Sequence, residues 1–158
     1  MNLSHNKTII GVVFKRLKFI ADERGRLMEI LRRDDDLFEK FSQVYITTAY
    51  PGVVKAWHLH KKQDDFIACV KGMIKLVLFD GRKNSKTFGI INEFFIGDYN
   101  PMLVKVPNNV WHGFKCISNE EAIVVNLPTE LYNYEKPDEF RLPYNTKKIP
   151  YNWDIRMR

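Results

Sequence analysis

The chain has 158 residues, 45% of them hydrophobic and 28% charged, with a net charge of +6 and an isoelectric point near 9.3. That length supports one hydrophobic core, read as a single domain over residues 1–158, and the composition excludes a disordered or fibrous chain. No apolar run approaches the ~20 residues that a membrane helix needs, and the polar stretch Met1 to Thr8 has no signal-peptide core, so a cytoplasmic protein is expected.

Two cysteines, Cys69 and Cys116, both sit inside apolar runs and are expected as buried thiols. The basic residues are dispersed; the densest groups are the pairs Arg32-Arg33 and Lys61-Lys62. A nucleic-acid footprint needs a basic stripe, so an anionic small molecule is the better match to the charge.

In chain order, the dominant pattern is short β runs separated by turn signals. Ile9 to Phe14 and Leu17 to Ile20 read as strands, Asp22-Glu23-Arg24-Gly25 as a turn, and Leu27 to Leu31 as a third strand. Asp34 to Phe41 has an acidic start suited to a helix N-terminus and is expected to form one short helix. Gln43 to Ala49 is rich in β-branched residues and ends at Pro51-Gly52, after which Val53 to His58 forms the next strand. Phe66 to Val70 and Met73 to Phe79 flank a tight turn at Lys71-Gly72. Phe88 to Ile96, Met102 to Val106, Trp111 to Cys116 and Ala122 to Leu127 continue the series, with Pro107-Asn108-Asn109 as a turn. From Pro128 onward the texture is Pro, Tyr, Asn and charge, read as an irregular tail. Many short strands with regular turns predict an all-β sandwich or barrel.

His58 and His60 flank one residue on a strand, so their side chains share a face. Four residues separate His60 from Asp65, and six separate Asp65 from Gly72. This spacing resembles the first cupin motif, with Asp in place of the usual Glu. Pro107 to His112 is similar to the second cupin motif, with Asn109 in place of the usual Gly. Such a pair would bring three histidines and a carboxylate to one barrel mouth. His5 has no such company and reads as a surface residue in the terminus. Two chemistries are open to the central cluster. His58, His60, Asp65 and His112 could hold iron, manganese, nickel or zinc, or the histidines could act as acid and base without a metal.

Further segments carry a wider resemblance. Asp22-Glu23-Arg24-Gly25-Arg26-Leu27-Met28-Glu29, Gln43-Val44-Tyr45, Gly52-Val53-Val54-Lys55-Ala56-Trp57-His58, His112-Gly113-Phe114, the Thr129 and Tyr132 pair followed by Pro137 and Glu139, and Ile149-Pro150-Tyr151-Asn152-Trp153 stand in one order along the chain. In that order they resemble the dTDP-4-dehydrorhamnose 3,5-epimerase family, from about Phe19 to Trp153. Departures include Tyr45, Lys55 and Ala56 where the family has Asn, Arg and Gly.

The resemblance implies a cupin-type jelly-roll barrel and a cofactor-free epimerase acting on a nucleotide-activated 4-keto-6-deoxy sugar. It places His58 as the base, Tyr132 as the acid on the opposite face, and His112 at the oxyanion. Asn145 falls near the family's aspartate that orients the base. Arg24, Glu29, Gln43 and Lys55 match nucleotide- and diphosphate-binding positions. His60 stands where Gln is usual, and Asp65 where the family has a lysine. The resemblance also implies a homodimer with exchanged N-terminal strands, Arg24 reaching a neighbouring pocket, and a role in deoxysugar supply for surface polysaccharide. Two alternatives stay open: the metal-dependent cupin enzyme, and a non-catalytic nucleotide-sugar-binding cupin.

Overall fold

In the computed structural model, residues 7–156 are described, and His5 lies outside them. The strands are β1 (Val13–Arg16), β2 (Phe19–Asp22), β3 (Gly25–Met28), β4 (Tyr45–Ala49), β5 (Val54–Leu59), β6 (Asp65–Lys71), β7 (Met73–Phe79), β8 (Ile91–Gly97), β9 (Met102–Val106), β10 (Trp111–Cys116), β11 (Ala122–Asn126) and β12 (Phe140–Arg141). One five-stranded sheet runs β1-β9-β6-β11-β4, and a second runs β12-β5-β10-β7-β8. Strands β2 and β3 form a separate two-stranded ribbon. Every pairing is antiparallel. This is the all-β, cupin-type jelly-roll architecture that the sequence led us to expect.

Strand alternation sorts the side chains into layers. Ile67 and Cys69 of β6, Ile74, Leu76 and Leu78 of β7, Val104 of β9, Phe114 and Cys116 of β10 and Val124 of β11 point between the two main sheets and form the central core. Their odd or even partners point outward and are covered. Phe66, Ala68 and Leu103 lie under Leu17, Met28, Ile30, Leu31 and Leu37. Trp57, Val77 and Phe79 lie under Ile149, Tyr151 and Trp153 of the tail. The tail is irregular but firmly seated: the Trp153 carbonyl accepts from the Nζ of both Lys75 and Lys115. Both cysteines are free and buried, as expected.

Along the inner face the chemistry changes from one end to the other. The same parity that buries Ile67 and Cys69 turns Asp65 inward, and the parity that buries Val124 turns Asn126 inward. Tyr45 and Thr47 of β4 and His112 of β10 follow the same rule. One end of the space between the sheets is therefore apolar, and the other is a polar mouth.

The expected helix at 34–41 is absent. The segment makes two isolated turns, with Asp35 N donating to Arg32 O and Phe38 N to Asp35 O. A segment this short cannot offset the cost of helix nucleation, and its acids are drawn to other partners. Asp35 accepts from Lys15 Nζ and from Arg32 N, and Glu39 pairs with Lys105. The first two strands also begin later than expected, because Ile9 and Val12 anchor the chain through a turn into the central core before β1 starts. Among the described residues no helix is long and apolar enough to cross a membrane.

Candidate active site

His58 sits near the end of β5 and His112 at the start of β10, and the antiparallel register makes them direct partners. The register shifts between His112 and Gly113, where Trp57 of β5 is left without a partner on β10, a bulge that turns His58 to the same side as Lys55. Gly113 permits this: a Cβ there would lie 2.3 Å from Ala56 Cβ and 2.9 Å from the Lys55 carbonyl oxygen. The turn before β10 uses Asn109 in the left-handed region, at φ 60°, where Asn is the tolerated alternative to glycine. Asn109 N donates to the His60 carbonyl, and Asn108 donates to Asp64, so the turn is stitched to the end of β5. Ring centroids of His58 and His60 then lie 6.2 Å and 5.7 Å from that of His112.

His58 Nδ1 is 3.0 Å from Glu139 Oε1. Glu139 also accepts a two-point contact from Arg141, Nε to Oε1 and the terminal nitrogen to Oε2, each at 2.9 Å. Burial works against the Glu139 charge, but Arg141 and then His58 outweigh it and hold the carboxyl below its usual range. Burial likewise lowers the His58 pKa, and Glu139 offsets only part of that. The consistent state is a Glu139 carboxylate beside a neutral His58 that carries its proton on Nδ1. The Nε2 lone pair is left free, and among the described residues nothing hydrogen-bonds to it. The sequence pointed to Asn145 as the residue that orients His58; the side chain that meets His58 Nδ1 is that of Glu139. Asn145 is exposed, and the pairing of β12 with β5, Arg141 against His58, is what delivers Glu139 instead.

His60, Asp65 and His112 form a second, tighter group. Asp65 Oδ2 lies 3.4 Å from His60 Nε2 and 3.3 Å from His112 Nε2. The other atom of each residue is occupied: His60 Nδ1 on the Asp138 carbonyl, His112 Nδ1 on the Val110 carbonyl, and Asp65 Oδ1 accepting from Gln63 and Asn126. Burial lowers the His112 pKa, with Asp65 opposing. Of the four residues named as possible metal ligands, these three converge. His58, with Nδ1 on Glu139, lies outside the group whose ligand atoms fall within 4.8 Å of one another.

A pocket of about 1110 Å³ opens over both groups. That exceeds what a free sugar needs and suits a nucleotide-sized ligand. Tyr132 lines it, stacked edge-on against Tyr134 with centroids 5.0 Å apart, and its backbone N donates to Gln43 Oε1. Lys55 reaches across to Thr47 Oγ1 at 2.9 Å, spanning the two sheets. Tyr45, also on the wall, accepts from Asn126 Nδ2, and burial, reinforced by the charge of Asp65, pushes its phenol up to about 12. Arg24 and Glu29 are not on this pocket: Arg24 is exposed on the β2–β3 turn, paired with Asp22, and Glu29 pairs with Arg32. The sequence reading did not single out Gln63, Asn126, Asp138 or Arg141. The inward parity of Asn126 was the available signal for one of them, and Glu139 was already visible as part of a quoted segment.

A jelly roll with a carboxylate-anchored histidine in a nucleotide-sized pocket has the frame of a cupin-fold enzyme. The profile of the dTDP-4-dehydrorhamnose 3,5-epimerase family matches residues 6–158, and the chain belongs to this family of sugar-nucleotide isomerases. It is 43% identical over 151 residues to the probable low-salt glycan biosynthesis epimerase Agl13 of Haloferax volcanii, covering 94% of this chain and 97% of that one. It is 38% identical to the spore coat polysaccharide biosynthesis protein SpsL of Bacillus subtilis, covering 95% and 99%. The crystal structure of a dTDP sugar isomerase from Desulfovibrio desulfuricans superposes with a TM-score of 0.87 at 30% identity, covering 92% of each chain.

Proposed function

We propose that this protein epimerises a nucleotide-activated 4-keto-6-deoxy sugar, taking a proton from a carbon next to the ketone and returning one to the opposite face. His58 Nε2 is the base. Glu139 holds the imidazole in the tautomer that leaves Nε2 open, and it stabilises the imidazolium that forms. Tyr132, on the pocket wall, is the acid. Lys55 and Gln43 bind the diphosphate and nucleotide. Arg24 and Glu29, exposed and away from their own pocket, serve a neighbouring one in a homodimer with exchanged N-terminal strands; a monomeric mass by light scattering would remove them from this scheme. The names of the relatives support a role in polysaccharide or glycan biosynthesis.

The observation that carries this reading is the His58–Glu139–Arg141 chain, which leaves a neutral imidazole with one lone pair facing the pocket. The test is deuterium incorporation from heavy water into dTDP-4-keto-6-deoxyglucose, followed by NMR with chelator present. Exchange at C3, C5 or both is expected, and its loss in His58→Ala. Exchange that persists in a folded His58→Ala protein would assign the base elsewhere.

A further inference from the structure

We propose that His60, Asp65 and His112 form a binding site for a divalent first-row transition-metal ion at the floor of the pocket. The starting point is a count of donors and acceptors. His60 Nδ1 and His112 Nδ1 each face a backbone carbonyl, which can only accept, so each carries the ring proton in the neutral imidazole. Both Nε2 atoms are then lone pairs, and both face Asp65 Oδ2, a third acceptor. Asp65 Oδ1 is saturated by Gln63 Nε2 at 2.9 Å and Asn126 Nδ2 at 3.0 Å, so the carboxylate cannot turn away. Three acceptor atoms within 4.8 Å of one another, two of them on buried residues, favour a positive charge among them.

The spacing selects a metal over a shared proton. A proton shared between Nε2 and a carboxylate draws the heavy atoms to about 2.7–2.9 Å. Here both separations are longer, 3.4 and 3.3 Å. Donors at roughly 2.0–2.1 Å from a common tetrahedral centre stand about 3.3–3.4 Å from each other. The hydrogen bonds behind each donor have the pattern that orients metal ligands: histidine Nδ1–H on a carbonyl, and a carboxylate held by amide donors. Two imidazoles and one carboxylate suit zinc, iron, cobalt or nickel, and three protein ligands leave coordination positions for water or substrate. His60 and His112 line the pocket, so those positions are reached from it. Asn126 Oδ1, buried and without a partner, lines the same pocket and offers an acceptor for an ion-bound water.

The test reads binding directly. Full-length protein is stripped with chelator, then titrated with Co²⁺ by visible absorption and with Zn²⁺ by competition. One ion per chain and a ligand-field band of low-coordinate Co²⁺ are expected. His60→Ala and His112→Ala should abolish the band. Asn126→Ala, which keeps all three ligands but removes the hydrogen bonds to Asp65 and Tyr45 and the acceptor for an ion-bound water, should weaken binding by roughly tenfold. His58→Ala should leave the stoichiometry at one. Thermal melts in chelator confirm that each variant is folded; should a histidine variant fail to fold, the wild-type band and the Asn126→Ala shift decide. No saturable binding by the folded stripped protein, or binding unchanged in folded His60→Ala and His112→Ala, overturns the site. The proton-transfer reading is tested separately, by exchange in chelator, so either can fail alone.

Discussion

At the scale of single residues, the pocket divides its histidines by what stands behind them. His58 has a carboxylate on Nδ1, whereas His60 and His112 have backbone carbonyls. A carboxylate behind an imidazole favours the charged form when a proton arrives, and a carbonyl does so far less. In the proposed reaction His58 is the histidine that gains a proton during turnover. In that reaction Glu139 acts as a positioning residue, and Glu139→Gln should lower kcat by about 10²–10⁴ with KM nearly unchanged, because the amide removes the charge and can impose the wrong tautomer. Glu139→Asp should recover part of the loss if reach allows. Asn145→Ala, at an exposed position, should leave kcat close to wild type. Steady-state kinetics on the three variants decide the point; an unaffected Glu139→Gln would disconnect the dyad from catalysis.

At the scale of elements, the site depends on how closely β5 and β10 approach. The side chains facing each other at the bulge are Ala56 and the missing one of Gly113. Gly113→Ala places a methyl 2.3 Å from Ala56 Cβ and 2.9 Å from Lys55 O, so the strands must part and His112 must move relative to His58. A loss of about 1–3 kcal/mol in urea unfolding is expected, together with reduced activity. Adding Ala56→Gly should return part of it, because it clears the Cβ clash and leaves the Lys55 carbonyl in place; a double-mutant cycle measures the coupling. Additive effects would mean that the two positions do not meet.

The same elements explain what could be read from the chain. Parity placed His58 and His60 on one face, because a strand fixes which side chains share a face, and the resemblance to the two cupin motifs brought Asp65 and His112 to the same mouth. The tail as a covering segment was equally legible from its composition. The helix at 34–41 was not, since an acidic start signals a helix only when the chain behind it is long enough to propagate, and here the acids serve Lys15 and Lys105 on β1 and β9. Glu139 was legible as a residue but not as the partner of His58. That contact spans 81 positions and depends on the two-residue strand β12, which no local pattern announces.

At the scale of the whole molecule, one buried carboxylate ties the N-terminal segment to the sheet behind the site. Asp80, fully buried after β7, accepts from Arg82, Ser85 and Thr87. Thr87 Oγ1 in turn accepts from Ile10 N, and Arg82 donates to Ile10 O. Burial alone would raise the Asp80 pKa, but the hydrogen bonds from Arg82, Thr87 and Ser85 outweigh it and hold the group far below the usual carboxylate range. A carboxyl depressed in the folded state and near ~3.9 in the unfolded chain contributes stability above ~3.9. That contribution is lost as the pH falls below this value, when the unfolded chain takes up the proton first. The wild-type protein should therefore lose stability steadily below about pH 4. Asp80→Asn should cost roughly 2–4 kcal/mol at neutral pH, because it leaves Arg82 without its buried counter-charge. The acid slope of the variant should be shallower by the share of this one group. Urea unfolding of both proteins at neutral and acidic pH measures the two quantities together, and parallel slopes would place the acid sensitivity in other carboxylates.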